Sequence, residues 1–285
     1  MKFLIAGSQG QLARAFQSRF ERDGVDFAAP TERDLDVADE RVVGEAIRSL
    51  RPSVVLNCAA YNDVDGAERD PGAASRVNET AVRHLARASR EAGAFLVHYG
   101  TDYVFDGTKE GFYTEDDVPN PLSAYGRTKW MGERALSDEA PEHLLLRVSW
   151  VYGRGSQNFL SKLDQWSRGR TVVRAVTDQL SAPTCVTDIV EFTLRALRVG
   201  LRGLYHLTNG GYASRYEVAR FYLRLVGRPV LVLPSLTADF PGPARRPFFS
   251  VMDNGRLSRA LGVEIPAWEN AMERFVRGGI GGAAA

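Results

Sequence analysis

The amino-acid sequence predicts an α/β fold, a doubly wound parallel sheet with a smaller C-terminal α/β lobe attached. Three observations predict it. Short apolar or β-branched runs alternate with stretches of helical period through the first half of the chain. Proline and glycine mark the returns from helix to strand. A glycine-containing turn joins the first run to the first helical stretch. The size agrees, since 285 residues with 44% hydrophobic and 25% charged content suffice for one large core.

Taken in order, apolar runs at residues 2–6, 25–28, 54–58, 95–99 and 144–150 predict five strands. The intervening helices fall over 11–22, 39–50, 73–91 and 123–136, where apolar side chains recur at helical spacing. Pro52 and Gly93 stop two of these helices, and Pro141 precedes the fifth strand. After Tyr152 the alternation loosens around Gly153, Gly155, Gly169, Pro183 and a Pro-rich run over 234–247. Residues 1–150 therefore read as the sheet domain. Residues 151–285 read mainly as the lobe, with some segments returning to the sheet, and the small residues of 278–285 are expected to fray.

Composition narrows the function. Lys plus Arg number 36 against 35 Asp plus Glu, spread along the chain, so no basic stripe grips nucleic acid or an anionic membrane. No apolar run approaches the roughly 18 residues needed to span a bilayer, and the opening stretch is far too short for a secretory signal. Cys58 and Cys185 lack metal-ligand spacing and suit a reducing compartment. The expectation is a cytoplasmic protein.

Gly7-Ser8-Gln9-Gly10-Gln11-Leu12-Ala13 follows the first strand and opens the first helix, the setting a dinucleotide-binding turn requires. Gly7 permits a sharp turn, Gly10 lets backbone amides approach a pyrophosphate, and Ala13 lets helix lie close on strand. The helix start then offers unpaired N–H groups to the anion. This makes the sheet Rossmann-type; the alternative is an ordinary strand-to-helix turn. After the second strand, Arg33 stands where an acidic residue would hold the ribose hydroxyl of NAD, which favours NADPH while leaving NADH open. A solvated surface arginine is the other reading of Arg33.

Tyr125 and Lys129 lie four residues apart on a predicted helix, hence on one face. A phenol titrates near a pKa of about 10 and needs a cationic neighbour to work as an acid or base near neutrality. An ammonium at about 4 Å is worth roughly 4 kcal/mol at an effective dielectric of about 20, so Lys129 is expected to lower the phenol by up to about three pK units. Thr101, at the end of the fourth strand, would donate to a carbonyl oxygen as charge develops there. Taken singly, Tyr125 and Lys129 could be an exposed helix face and Thr101 a turn cap; it is their coincidence that points to hydride transfer. His98 and His206 read as satisfied core residues, no metal is indicated, and the serines show no nucleophile-elbow context.

With these residues in hand, the chain resembles the dTDP-4-dehydrorhamnose reductase family of extended short-chain dehydrogenases/reductases. The segments that carry the likeness are Gly7-Ser8-Gln9-Gly10-Gln11-Leu12, Asn57-Cys58-Ala59-Ala60-Tyr61, Tyr99-Gly100-Thr101-Asp102-Tyr103, Tyr125-Gly126-Arg127-Thr128-Lys129 and Arg147-Val148-Ser149-Trp150. Further on come Asp178-Gln179-Leu180-Ser181-Ala182-Pro183-Thr184 and Arg246-Pro247. The resemblance implies NAD(P)H-dependent reduction of the C4 ketone of a dTDP-linked deoxysugar by a monomer or homodimer. It implies that Gly7, Gln9, Gly10, Gln11 and Leu12 line the pyrophosphate, Asp36 and Val37 the adenine, and Ala59, Ala60 and Tyr61 the middle of the dinucleotide. Tyr125 would be the proton donor, Lys129 its modulator and ribose ligand, and Thr101 the stabiliser of the reacting oxygen. Asp102, Trp150 and the 178–184 stretch would face the sugar nucleotide. The family's serine before the catalytic threonine is Gly100 here, which is expected to remove a hydroxyl from the site. The first helix reads Ala13-Arg14-Ala15-Phe16 where some members carry a magnesium-binding glutamate, so a metal-dependent dimer is not expected. Two other outcomes stay open: a 4-ketoreductase for another nucleotide deoxysugar, and a non-catalytic regulatory subunit of the same fold.

Overall fold

A computed structural model describes residues 1–155 and 157–278; apart from Gly278, the tail expected to fray lies outside them. Along the chain run β1 (Phe3–Ala6), α1 (Gln11–Asp23), β2 (Phe27–Ala28), α2 (Glu40–Leu50), β3 (Val54–Asn57), α3 (Val64–Arg69), α4 (Pro71–Ser75) and a π-helical turn (Arg76–Thr80). Then come α5 (Ala81–Ala92), β4 (Phe95–Thr101), a 3-10 turn (Asp102–Val104), α6 (Ala124–Glu139), β5 (His143–Val148), β6 (Val151–Tyr152), α7 (Phe159–Ser167) and β7 (Val172–Val176). The remainder is β8 (Leu180–Ser181), β9 (Thr184–Cys185), α8 (Val186–Arg198), β10 (Gly203–His206), β11 (Ala213–Ser214), α9 (Arg215–Leu225), β12 (Leu231–Ser235), α10 (Gly255–Leu261) and α11 (Trp268–Arg277).

Six parallel strands form the sheet in the order β10-β5-β4-β3-β1-β2. Because side chains alternate along a strand, Phe3 and Ile5 of β1 pack with α1 and α8 on one face, while Leu4 and Ala6 pack with α2, α5 and α6 on the other. The sheet is buried on both sides, which explains its nearly continuous apolar runs. The chain passes from β1 to β2 on one side and then returns for β3 on the other. The loops leaving β1 and β3 therefore diverge and open a crevice at the carboxyl ends of the strands.

Residues 151–155 and 157–278 divide between two layers. Strand β10 extends the sheet beside β5, and Ile189, Phe192 and Ala196 of α8 enter the core under α1. The rest gathers around Tyr152, Leu160, Val173, Tyr222, Val232 and Trp268, a separate core that closes over the carboxyl edge of the sheet.

Several boundaries differ from the sequence reading, each for a local reason. Strand β2 shrinks to two residues because the Val25 amide instead bonds the Phe20 carbonyl and closes the end of α1. The third helix begins early, at Val64, where the Asp63 side chain accepts from the Gly66 amide at 2.9 Å. It restarts at Pro71, behind the Asp70 cap. Strand β5 ends at Val148, and Trp150 beyond it has a left-handed backbone with φ 41°.

Candidate active site

Four of the segments that carry the likeness meet at the carboxyl ends of the strands: the glycine turn after β1, Cys58 to Ala60 after β3, Thr101 closing β4, and Trp150 after β5. Together they line a crevice of about 520 Å³. At its base Gly7 has φ +75°, and a Cβ there would come within 2.6 Å of the Ala59 backbone, so only glycine allows the two loops to meet. The Gly10 amide bonds the Gly7 carbonyl at 3.0 Å, tightening the turn. Gly10 caps α1 without a side-chain acceptor, and no acidic residue occupies the first turn. The helix start therefore keeps open amides and uncompensated partial positive charge beside the crevice, a cradle that fits a dinucleotide pyrophosphate. Gln11 ties this helix to the lobe, donating to the Val151 carbonyl at 3.2 Å and accepting from Asn158 at 3.1 Å.

The opposite wall is α6. Ser123 caps it by accepting from the Gly126 amide at 3.1 Å, and Gly126 lets the helix press against the Tyr103 carbonyl, where a Cβ would collide. The π-helical turn supplies a second clamp. Its extra residue directs the Asn78 side chain to the Tyr61 amide (2.9 Å), the Tyr61 carbonyl (3.1 Å) and the Thr128 hydroxyl (3.1 Å), binding the β3 loop to α6. Tyr125 and Lys129 are thereby fixed one turn apart, both buried. The Tyr125 ring lies edge-on to Tyr103, with centroids 5.6 Å apart, and its hydroxyl is 3.5 Å from Asn62 Oδ1. The Lys129 ammonium donates to the Tyr99 carbonyl at 2.7 Å.

Electrostatics here correct one expectation. Burial dominates at Tyr125 and raises the phenol above its usual range, with only the Thr101 hydroxyl opposing. Lys129 does not lower it; its ammonium is directed to the Tyr99 carbonyl. Burial also lowers Lys129 from 10.5 to about 8, against the pull of Glu133. Thr101 accepts from the Tyr103 amide at 3.2 Å and donates to Asp102 at 3.3 Å. Asp102 also accepts from Ser181 (2.9 Å) and Ser250 (2.6 Å), and burial raises its pKa despite those bonds.

Of the residues singled out in the sequence, Gln9, Gly10, Gln11, Leu12, Ala59, Ala60, Thr101, Asp102, Tyr125, Lys129 and Trp150 line the crevice. Gly7 supports it from behind, and Tyr61 is outside the lining, its backbone occupied by Asn78. Arg33, Asp36 and Val37 do not line it either. Arg33 is exposed in a turn closed by the Asp34 amide on the Thr31 carbonyl, Asp36 pairs with Arg76 at 3.0 Å, and Val37 is core. The 178–184 stretch stands back as well. Asp178 and Gln179 bond Thr237, while Ser181 reaches the site only through Asp102.

Gly100 receives a different reading. A Cβ there would meet Glu133 and come within 2.9 Å of Arg147 Cγ, so a side chain would enter the buried Glu133–Arg147 ion pair and not the reaction site. Both expected core histidines are buried. His98 shares a 3.0 Å hydrogen bond with Asn57, whereas neither ring nitrogen of His206 has a well-formed one, and burial keeps both neutral. Sequence reasoning missed Arg215, Asn62 and Tyr103, which also line the crevice. The Ser214-x-x-Glu217 capping signature could have located Arg215 at the first turn of α9.

Comparison with known proteins agrees with this geometry. A family model described as RmlD substrate binding domain matches residues 1–279. The dTDP-4-dehydrorhamnose reductase of Sinorhizobium fredii is 36% identical over 97% of each chain. The dTDP-4-keto-6-deoxy-D-glucose reductase of Streptomyces niveus is 34% identical over 95% of each. A crystal structure of dTDP-4-dehydrorhamnose reductase from Bacillus anthracis in complex with NADP superposes with a TM-score of 0.94 at 31% identity, covering 97% of this chain and 99% of that one.

Proposed function

The chain belongs to the RmlD substrate binding domain family, and with that as premise we propose that it uses NADPH to reduce the C4 ketone of a dTDP-4-keto-6-deoxy sugar, dTDP-4-dehydrorhamnose to dTDP-L-rhamnose. The observation that carries this reading is the convergence of Thr101, Tyr125 and Lys129 on one crevice with the open start of α1. The α1 amides and Gln9 to Leu12 hold the cofactor pyrophosphate, Ala59 and Ala60 its middle, and Lys129 its ribose. Bound there, the nicotinamide supplies the hydride.

The chain's own part is to place and move protons. A phenol held above its ordinary range stays protonated at neutral pH, which suits donation to an alkoxide far more basic than itself. Tyr125 gives its proton to the C4 oxygen, and the phenolate left behind is reprotonated from solvent. Thr101 has one hydroxyl proton, directed to Asp102 in this structure. Turning it to the substrate oxygen leaves Asp102 its two serine donors, so the switch strands no buried carboxylate.

The Streptomyces niveus relative supports a second reading, the same chemistry on a different 4-keto sugar. Assaying NADPH oxidation against a panel of dTDP-4-keto-6-deoxy sugars, with the product's C4 configuration read by NMR, decides between them; turnover of none refutes both. The enzyme is assigned to the cytoplasm as a monomer or homodimer without nucleic-acid or membrane partners, a state that sedimentation of the purified protein reads. Among the described residues no helix is long and apolar enough to cross a membrane.

A further inference from the structure

Arg215 occupies the first position of α9, directly after Ser214, whose capping box with Glu217 fixes where the helix begins. Its guanidinium lies 3.5 Å over the centre of the Trp150 ring and 4.9 Å from that of Phe159, and it lines the crevice shared by Thr101 and Tyr125. Among the described residues it makes no hydrogen bond and no ion pair. Arg147 and Arg246, by contrast, are paired with Glu133 and Asp65, each at 2.7 Å. Asp102, the carboxylate that acts on it, is already engaged by Thr101, Ser181 and Ser250.

A guanidinium stacked on aromatic rings is held by its faces, while its donors radiate from its edge in a fixed fork. Leaving such donors without partners in a largely desolvated crevice is costly unless a ligand completes them. The geometry also bears on Trp150, since one face of its indole is covered by Arg215 and only the other remains for a sugar or a base.

Resting on the reading of this crevice as a nucleotide-sugar reductase site, we propose that Arg215 anchors the substrate's diphosphate, its edge donating to the phosphate oxygens that join sugar to nucleoside. The cofactor's own pyrophosphate already has the α1 amides. The charged and phenolic groups that act on Arg215 are Tyr103 and Asp102, just past the end of β4, and Arg246 of the C-terminal half, none of them in the glycine turn. An anion held there extends from the reacting end of the crevice toward the C-terminal lobe.

The test compares dTDP, dTMP and thymidine as competitive inhibitors of the NADPH-loaded enzyme. In the wild type, affinity should rise with each phosphate. Arg215→Gln should weaken dTDP by about 10- to 100-fold, the loss of a charge-assisted forked contact, while thymidine and NADPH affinities stay within about twofold. Arg215→Lys keeps the stem and charge without the fork, so it should fall between, and it carries the test if the glutamine variant does not fold. Undiminished dTDP affinity in both variants, or an equal loss for thymidine, overturns the anchor and leaves the proposed reduction standing. A wild-type enzyme that reduces no dTDP-4-keto sugar overturns the proposed function itself.

Discussion

Replacing Lys129 by methionine should flatten the pH dependence of stability, because this lysine is a buried cation held at some cost. It is only 3% exposed, and burial takes its pKa from 10.5 to about 8. With the folded-state pKa below the unfolded one, the unfolded chain binds more protons between those two values, so stability rises with pH across that window. The fall corresponds to about 3 kcal/mol of stability present above the window and lost below it. The methionine variant has nothing to titrate at this position. It loses the bond to the Tyr99 carbonyl, about 1–3 kcal/mol at every pH, a nearly constant offset. The wild type should therefore gain about 3 kcal/mol on the variant between about pH 7 and pH 11, since titrations common to both cancel in the difference. Urea unfolding of the two proteins at unit pH intervals measures this. A difference that stays constant with pH would refute the reasoning, and with it the claim that burial governs this ammonium.

Two further predictions follow from packing. Gly7→Ala forces a side chain into a left-handed backbone and against Ala59, and should cost at least about 2 kcal/mol in urea unfolding while sharply weakening NADPH binding by fluorescence titration. Glu133→Gln leaves the Arg147 charge buried, with one of its terminal nitrogens already lacking a partner, and should destabilise by about 3–5 kcal/mol in the same assay.

What could be read from the sequence was local. The Gly7 turn announces itself because only glycine tolerates that backbone, and Tyr125 with Lys129 because helical spacing alone puts them on one face. The wall that fixes them could not be read. Asn78 acts through a π-helical turn, whose one extra residue leaves no periodic signal, and its partners at Tyr61 and Thr128 are distant in the chain. The direction of the Tyr125 shift escaped for a related reason: sequence supplies the ammonium but neither the desolvation that raises the phenol nor the Tyr99 carbonyl that takes the ammonium. Arg33 was assigned to the crevice from its place after the second strand and the 178–184 stretch from the family resemblance, yet tertiary partners decide where they stand. Arg215 was missed because an arginine opening a helix looks like any surface charge until Trp150 lies beneath it.

In the proposed reaction Tyr125 delivers the proton while the α1 cradle holds the cofactor independently of it. Single-turnover NADPH oxidation with dTDP-4-dehydrorhamnose, in the wild type and in Tyr125→Phe, tests this most directly when paired with NADPH titration of both proteins. The rate should fall by about 10²- to 10⁴-fold, with NADPH affinity nearly unchanged. A phenylalanine variant that oxidises NADPH at the wild-type rate would contradict it.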